Sequence, residues 1–511
     1  MNDDRLGMMS RRRFLAASGA ACVGLALGDF PALQAAVAAR RAKTVSIFHT
    51  TDLHGHIVPT ANYDGVGDVG GLARCVTQIR RWKKEFPDSL LLDIGDVYQG
   101  TPESYNNGGK LMIELFNKLG YDAWALGNHD FDWGRANLEA ALAASKSGII
   151  SGNIRIDGKL PGEAAGVWDK VRPWTVKEVG GFRIGLVGII TPGLPYWLTP
   201  STLGGVEVLN PIESLRRSID EIRAEKPDAI VVMGHLGWRF QGDDFANPVK
   251  EMLQQVAGVD VLLAGHTHQD QPSWMSGKVL CTQASYYGIH CGRVDLTFDL
   301  ESRKLLERRA FTVLMDSRFD MDPLVIEIAK PELAKAEEQM KKKVCTFLNE
   351  VPAAAVPALI CEALAAGLYK ANTPVDGVFH GMFGKQPIPA GDKTVADCWD
   401  ILPYENGMLV AELGVPELTT IVAEDKGKRT LWPFEVDLTA AGETKKFLFK
   451  GQPVEPGKRF RIGFNTYDGQ SGGQDLMQLS EILSRPESKR QETQISTRQA
   501  LIDYFLEKGK I

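Results

Sequence analysis

Carboxylate, imidazole and amide side chains recur where apolar runs of this sequence end. The stretch AWALGNHDFDWG, residues 123–134, passes from an apolar run into Asn128, His129 and Asp132. Four other apolar runs lead into comparable stretches: TTDLHGH, DIGDVYQG, VVMGHLGW and LLAGHTHQ. Taken singly, such a histidine is more often a core or loop residue, Asp96 fits a helix N-cap, and Asn128 fits a turn. Five coincidences in strand order favour one shared site instead.

The spacing and the residue types of these stretches indicate a metal centre. Asp52 and His54, like His266 and His268, are two residues apart, so on extended backbone each pair points to one side. Carboxylates, imidazoles and one amide without a thiolate suit Mn, Zn, Fe or similar divalent ions. The groups are too numerous for one tetrahedral ion and suit two ions that share a carboxylate.

The elements that must position these residues alternate between strands and helices. From about residue 43 to 300, short apolar runs alternate with amphipathic helical patterns, which predicts an α/β fold with buried sheets. In open α/β sheets ligands gather beyond the carboxyl ends of the strands, where all five stretches would lie. VRPWTVKEVGGFRIGLVGI predicts a hairpin with a Gly-Gly turn.

The chain divides into four predicted segments. A charged helical stretch at 324–344, interrupted by Pro331, precedes a second α/β region with a different texture. The predicted boundaries are 1–38 for a signal peptide, 43–320 for a catalytic domain, 321–349 for a linker helix and 350–505 for a second domain.

The N-terminus predicts export. SRRRFL at 10–15, a weakly apolar segment and AVA at 36–38 resemble a twin-arginine signal, which is read by the translocation machinery. The alternatives are a disordered basic leader and a lipoprotein anchored through Cys22, which Gly19 disfavours. We therefore expect the twin-arginine machinery as a partner and a periplasmic location after cleavage.

Composition excludes other classes of partner. The net charge is −6 and no basic block is interleaved with aromatic residues, so no nucleic acid is expected. Beyond the leader no apolar run approaches the ~18 residues that span a bilayer, so no stable membrane anchor is expected. Cys281 and Cys291 flank a short connection and could pair in an oxidising compartment; isolated buried thiols are the alternative.

The ordered motifs resemble those of a known family. D-x-H, G-D-x-x-x-G, G-N-H-(D/E)-F-D, G-H-x-G and G-H-(T/S)-H resemble the calcineurin-like metallophosphoesterases, and within them the 5′-nucleotidase group. The resemblance implies a four-layer α/β/β/α sandwich followed by a smaller C-terminal α/β specificity domain. It implies two divalent ions, Mn²⁺ or Zn²⁺ foremost, with these ligands: Asp52, His54, Asp96 and His268 for the first, and Asp96, Asn128, His235 and His266 for the second.

The resemblance also implies the reaction. A metal-bridging hydroxide would attack a phosphate ester that is held between the two ions. That ester would be a nucleotide or a related phosphate ester. His129, oriented by Asp132, would stabilise or protonate the leaving oxygen. The substrate would be a small-molecule phosphate ester.

The C-terminal part departs from the family pattern. The stretch that normally carries Asn-Gly-Gly-Gly-Ile-Arg reads VFHGMFGKQPIPAG, which puts Lys385 where an arginine grips phosphate. Lysine offers a point charge without the bidentate fork. Tyr404 and Tyr467 stand where two aromatic residues sandwich a base, and packing is the alternative for each.

Two other functions are open at this point. Thiosulfohydrolases of sulfur oxidation share the architecture, but they replace Gly-Asn-His-(Asp/Glu) by Gly-His-Trp-Glu, whereas residues 127–130 keep the nucleotidase form. A non-catalytic exported binding protein is the second alternative, and the full ligand set argues against it.

Overall fold

The fold is described from a computed structural model. The structure describes residues 41–511 except 240, 382–385, 441, 443 and 456. The predicted signal peptide and Lys385 therefore lie outside the described residues.

The first half of the chain contains two large sheets. One has seven strands in the order β15-β14-β1-β2-β3-β4-β6, and the other has six in the order β12-β13-β11-β10-β8-β7. The short strands β5 and β9 pair separately. The strands are β1 (Ala42–Thr50), β2 (Ser89–Asp93), β3 (Ala123–Ala125), β4 (Gly148–Ile150), β5 (Ile154–Ile156), β6 (Val171–Arg172), β7 (Trp174–Val179), β8 (Phe182–Ile190), β9 (Val206–Val208), β10 (Ala229–His235), β11 (Val261–Ala264), β12 (Asp270–Ser276), β13 (Val279–Ala284), β14 (His290–Asp299) and β15 (Leu305–Leu314).

Helices cover the outer face of each sheet. The helices of this half are α1 (Leu72–Glu85), α2 (Pro102–Asn106), α3 (Lys110–Leu119), α4 (Gly134–Ala144), α5 (Pro200–Leu203), α6 (Pro211–Ile222), α7 (Val249–Gln255) and α8 (Pro323–Met340). Alternation along the strands explains the layers. Ile47 and Val231 belong to the core between the two sheets, whereas their neighbours Phe48 and Val232 pack into the outer cores. This is the predicted four-layer α/β/β/α sandwich.

Strand direction brings the site residues to one edge. β1, β2, β3 and β4 are mutually parallel, as are β8, β10, β11 and β13, so their carboxyl ends share an edge within each sheet. The predicted hairpin is β7–β8, which are antiparallel around Gly180 and Gly181. Both glycines have positive φ, 60° and 86°, as a tight turn requires.

The second half is built on a five-stranded sheet in the order β20-β17-β24-β19-β25, with helices on both faces. The strands are β16 (Lys343–Phe347), β17 (Gly377–Gly381), β18 (Gly391–Thr394), β19 (Gly407–Gly414), β20 (Arg429–Trp432), β21 (Phe434–Leu438), β22 (Thr444–Phe449), β23 (Gln452–Pro453), β24 (Arg459–Asn465) and β25 (Gln491–Ser496). The helices are α9 (Val356–Lys370), α10 (Val395–Ile401), α11 (Val415–Asp425), α12 (Thr466–Gly469), α13 (Met477–Ser484) and α14 (Thr497–Lys508).

Two expectations about helices need correction. Helix α8 continues through Pro331, whose missing N–H removes one hydrogen bond without ending the helix. One described helix, spanning Ala353–Lys370 with its preceding turn, is long and apolar enough by length and composition to cross a bilayer, contrary to the expectation. Its apolarity has a structural cause, since Ile360 and Leu364 pack in the core that α9 shares with α14.

The cysteines form no pair between Cys281 and Cys291. All six described cysteines are buried and free. A hydrogen bond with Cys75 and burial hold the pKa of the Cys291 thiol well above its usual range. Burial likewise raises the pKa of Cys281 to about 12. The structure therefore shows buried thiols, which was the alternative interpretation.

Candidate metal centre

The predicted site residues converge at the carboxyl edge of both sheets. Asp52 and His54 follow β1, and Asp96 follows β2. The two loops are joined by the bonds from Asp52 N to Gly95 O (3.0 Å) and from His54 N to Asp96 O (2.9 Å). The remaining candidates complete the cluster: Asn128 and His129 after β3, His235 at the end of β10, and His266 and His268 after β11.

The backbone of this edge is strained. Asp52, His54, Asp96, His266 and His268 have positive φ between 48° and 69°, a region that residues with a side chain rarely adopt. Each such residue costs on the order of 1–3 kcal/mol and persists only where the surroundings impose it. Because five of the predicted ligands have this conformation, the strain indicates that the surrounding structure holds their side chains in a specific arrangement.

The structure groups the carboxylates and imidazoles into two sets that share Asp96. Asp52, His54, Asp96 and His268 form one set, and Asp96, His235 and His266 form the other, with ligand atoms within 4.8 Å of one another in each. Asn128 joins the second set, since its Oδ1 lies 3.1 Å from His235 Nε2. These are the two ligand sets that the resemblance implies.

The donor atoms fit two cations. His54 Nδ1 donates to the carbonyl of Gln99 at 2.8 Å and His235 Nδ1 to that of Ile94 at 2.7 Å, so each neutral ring keeps a lone pair on Nε2. Asp96 Oδ2 is buried with no hydrogen-bond partner among the described residues, and it lies 3.1 Å from His235 Nε2. A buried carboxylate oxygen that faces the Nε2 atoms of His54 and His235 is suited to be a metal ligand shared between two sets.

Burial and charge set the protonation of the rings. Burial lowers the pKa of His54 and of His266 to about 3, which keeps both neutral and able to ligate. Burial also opposes charge on His235, but the neighbouring Asp96 carboxylate raises its pKa to about 9. Ion binding at this ring must therefore displace a proton, so affinity should rise with pH.

His129 and Asp132 form the predicted pair. His129 Nδ1 lies 2.7 Å from Asp132 Oδ2, which directs Nε2 away from the carboxylate. Burial opposes charge on the ring, but Asp132 and Asp96 together raise the pKa of His129 to about 10. The backbone N–H of His129 also donates to Asp96 Oδ1 at 2.7 Å, which ties the pair to the metal ligands.

Asp130 organises the loops and was missed by the sequence reasoning. Its buried carboxylate accepts backbone N–H bonds from Asp96 (3.1 Å), Val97 (2.9 Å) and Gly127 (2.8 Å). Burial and repulsion from Asp96 raise its pKa to about 7. Its place in the G-N-H-D motif was visible, but the side-chain role was not, because two of the three bonded groups belong to the loop after β2.

A cavity of about 1270 Å³ opens beside the predicted metal ligands and is lined by residues from both halves of the chain. Tyr404 and Tyr467 line it together with His129 and Asp132, and the ring of Tyr404 lies nearly parallel to that of His129 at 6.3 Å. Trp197, not singled out from sequence, also lines it and lies 5.2 Å from the His266 ring. His380 is buried and is not among the lining residues.

Partly buried polar contacts join the two halves beside the cavity. Gln99 Nε2 donates to Glu405 Oε2 at 2.8 Å, and Glu405 Oε1 pairs with Arg498. Thr199 donates to Glu492 at 3.2 Å. Since the backbone carbonyl of Gln99 also holds His54, the second half contacts the surroundings of the metal ligands.

The fold and the site of the first half of the chain are similar to those of a known class of domain. Residues 45–270 match the calcineurin-like phosphoesterase family. This part of the chain is a calcineurin-like phosphoesterase domain, as its motifs indicated.

Individual relatives narrow the comparison. The chain is similar to a snake venom 5′-nucleotidase from Naja atra, with 29% identity over 321 residues, 58% of this chain and 57% of the relative. The match thus spans about half the length of this curated relative. Among solved structures, the fold is similar to a 5′-nucleotidase precursor from Thermus thermophilus (TM-score 0.69, 23% identity, 92% and 97% of the two chains). It is also similar to a sulfate thiohydrolase, SoxB, from Thermus thermophilus (TM-score 0.60, 16% identity, 91% and 94%).

Proposed function

We propose that the protein hydrolyses phosphate esters, nucleotides foremost, at a centre of two divalent ions, Mn²⁺ or Zn²⁺. The observation that carries the proposal is the pair of ligand sets sharing Asp96, with His129 and Asp132 directly beside them. The family match of residues 45–270 and the similarity to 5′-nucleotidases support it.

The ligands would be those named from sequence, with Asp96 shared. Ions bound there would supply Lewis-acid polarisation of water and neutralisation of the phosphate oxygens. His129 would carry a proton on Nε2, since Asp132 holds Nδ1, and donate it to the departing ester oxygen. Asp132 would keep the ring oriented and stabilise its protonated form.

We propose that the second half selects the substrate. Tyr404 and Tyr467, which line the cavity, would stack on a planar group such as a base. Lys385, which stands where the family pattern has an arginine, would contact phosphate. We propose a catalytic domain at 43–320, a linker helix at 321–349 and a specificity domain at 350–505. Separate hydrophobic cores in the two halves support two domains, and Val325 of the linker helix packs in the first core. We further propose twin-arginine export to the periplasm, which the leader sequence supports.

Phosphate release from 5′-AMP by the mature protein with Mn²⁺ tests the proposal. We expect turnover that falls about 10²–10⁴-fold in His129→Ala while two ions per chain remain bound. A protein that binds no divalent ion, or whose turnover survives the His129→Ala change, would contradict the mechanism. Two bound ions without release from 5′-AMP would contradict the nucleotide assignment and direct the search to sugar phosphates, diesters and thiosulfate-type esters.

A further inference from the structure

One metal-ligand candidate has an unusual hydrogen-bond partner. His54 and His235 present their Nδ1 atoms to backbone carbonyls, but His268 Nδ1 lies 2.7 Å from the phenol oxygen of Tyr63. Tyr63 belongs to the loop between β1 and α1, about two hundred residues before His268 in the chain. The nature of that partner matters, because it fixes the ring orientation and the tautomer of a ligating histidine.

The loop that carries Tyr63 is anchored. Thr60 and Val69 exchange backbone hydrogen bonds of 2.8 and 3.0 Å across its base. The backbone N–H of Tyr63 donates to the Tyr286 hydroxyl at 2.9 Å, and the two rings stack at 4.2 Å and 13°. The His268 ring lies nearly parallel to both tyrosines. The phenol is thus held against the imidazole by contacts that do not involve its own hydroxyl.

A third tyrosine gives the hydrogen bonds a direction. The Tyr63 hydroxyl lies 3.3 Å from the Tyr287 hydroxyl and can donate its proton there. Its oxygen is then free to accept the Nδ1–H of His268. That arrangement leaves a lone pair on His268 Nε2, which lies 3.1 Å from His54 Nε2 and 3.3 Å from Asp52 Oδ1.

We propose that Tyr63 is a positioning residue for the first ion. Its hydroxyl accepts a hydrogen bond from His268 Nδ1 and donates its own O–H to Tyr287, so that the His268 ring is held with the Nε2 lone pair aimed at the other first-site ligands. This inference rests on the proposed two-ion centre. A phenol in place of a carbonyl also makes the bond removable by a change of one atom, since Tyr63→Phe keeps the ring stack.

Metal affinity, rather than activity, tests the inference. The metal-stripped full protein is titrated with Mn²⁺ in competition with a chelator, as wild type, Tyr63→Phe and Tyr286→Phe. We expect two binding steps in the wild type and a loss of about 10- to 100-fold in one of them for Tyr63→Phe. High Mn²⁺ should restore most of the kcat of Tyr63→Phe on whichever phosphate ester the wild type hydrolyses.

The comparison variant separates the hydroxyl from the loop. Tyr286→Phe removes the anchor of the Tyr63 backbone but leaves the bond to His268, so its Mn²⁺ affinity should fall by much less. Equal losses in the two variants, or two wild-type affinities in Tyr63→Phe, would overturn the inference while leaving the two-ion centre standing. A wild type that binds no Mn²⁺ would instead overturn the proposed centre, and the inference with it.

Discussion

His129 carries the proton-transfer part of the proposed reaction, and its chemistry depends on Asp132. Asp132→Asn keeps the size of the side chain and removes the charge that favours a protonated ring. The pKa of His129, raised to about 10 in the native site, should therefore fall, and the alkaline limb of the kcat profile should move to lower pH. We expect kcat to drop about 10- to 100-fold near neutral pH. Measured profiles that coincide for the two proteins would contradict this role, and metal analysis should still find two ions in the variant.

His49 is a second histidine with a perturbed pKa, and it affects the free energy of unfolding. It is fully buried in β1, and neither ring nitrogen has a hydrogen-bond partner among the described residues. Burial lowers its pKa to about 4, below the 6.5 of an exposed ring. As the pH falls, the His49 ring is therefore protonated in the unfolded chain before it is protonated in the folded chain. Its contribution to the free energy of unfolding is fully present above pH 6.5 and is lost as the pH falls toward 4. The loss amounts to about 3 kcal/mol.

The variant His49→Leu should remove that component. Urea unfolding of both proteins at pH 7 and pH 4.5 gives the comparison, since other titrating groups contribute equally to each. We expect the free energy of unfolding of the variant to fall less between the two values. A parallel decline in wild type and variant would show that His49 is not the group that titrates.

At the scale of elements, the site depends on how closely two loops approach. A Cβ on Gly127 would lie 2.3 Å from the backbone N of Asp96 and from its Oδ1, so only glycine fits between β3 and the shared ligand. We expect Gly127→Ala to lower Tm and to lose at least one ion per chain, as measured by calorimetry and metal analysis. Gly67→Ala is the matched control, because a Cβ there meets nothing within 4 Å and its φ is not positive. Retention of both ions in Gly127→Ala would contradict the close-approach argument.

The elements and their loops also explain which parts of the fold and of the site could be predicted from the sequence. The sandwich and its ligand loops were predictable, because the short apolar runs that became β1 and β10, the helical patterns between such runs and the polar residue after each strand are local signals. Asp130, Gln99 and Tyr63 were not, since each acts on a group from a different loop. The prediction that Pro331 interrupts the helix was wrong, because the helix as a whole tolerates one missing hydrogen bond. Local patterns identify the metal ligands, whereas their supporting residues appear only once the loops are assembled.

At the scale of the whole molecule, the cavity exists because the two halves meet beside the metal centre. Tyr467 of the second half and Trp197 of the first both line it. Stacking of an aromatic side chain on a base contributes about 1–3 kcal/mol. Tyr467→Leu should therefore reduce kcat/KM for 5′-AMP by about 10-fold or more, mainly through KM. Glycerol phosphate, which has no base, should be hydrolysed almost as well by the variant as by the wild type. The ratio of the two kcat/KM values is the quantity to measure, because an equal loss on both substrates would assign Tyr467 to packing between the halves. A selective loss would instead place base recognition in the second half of the chain.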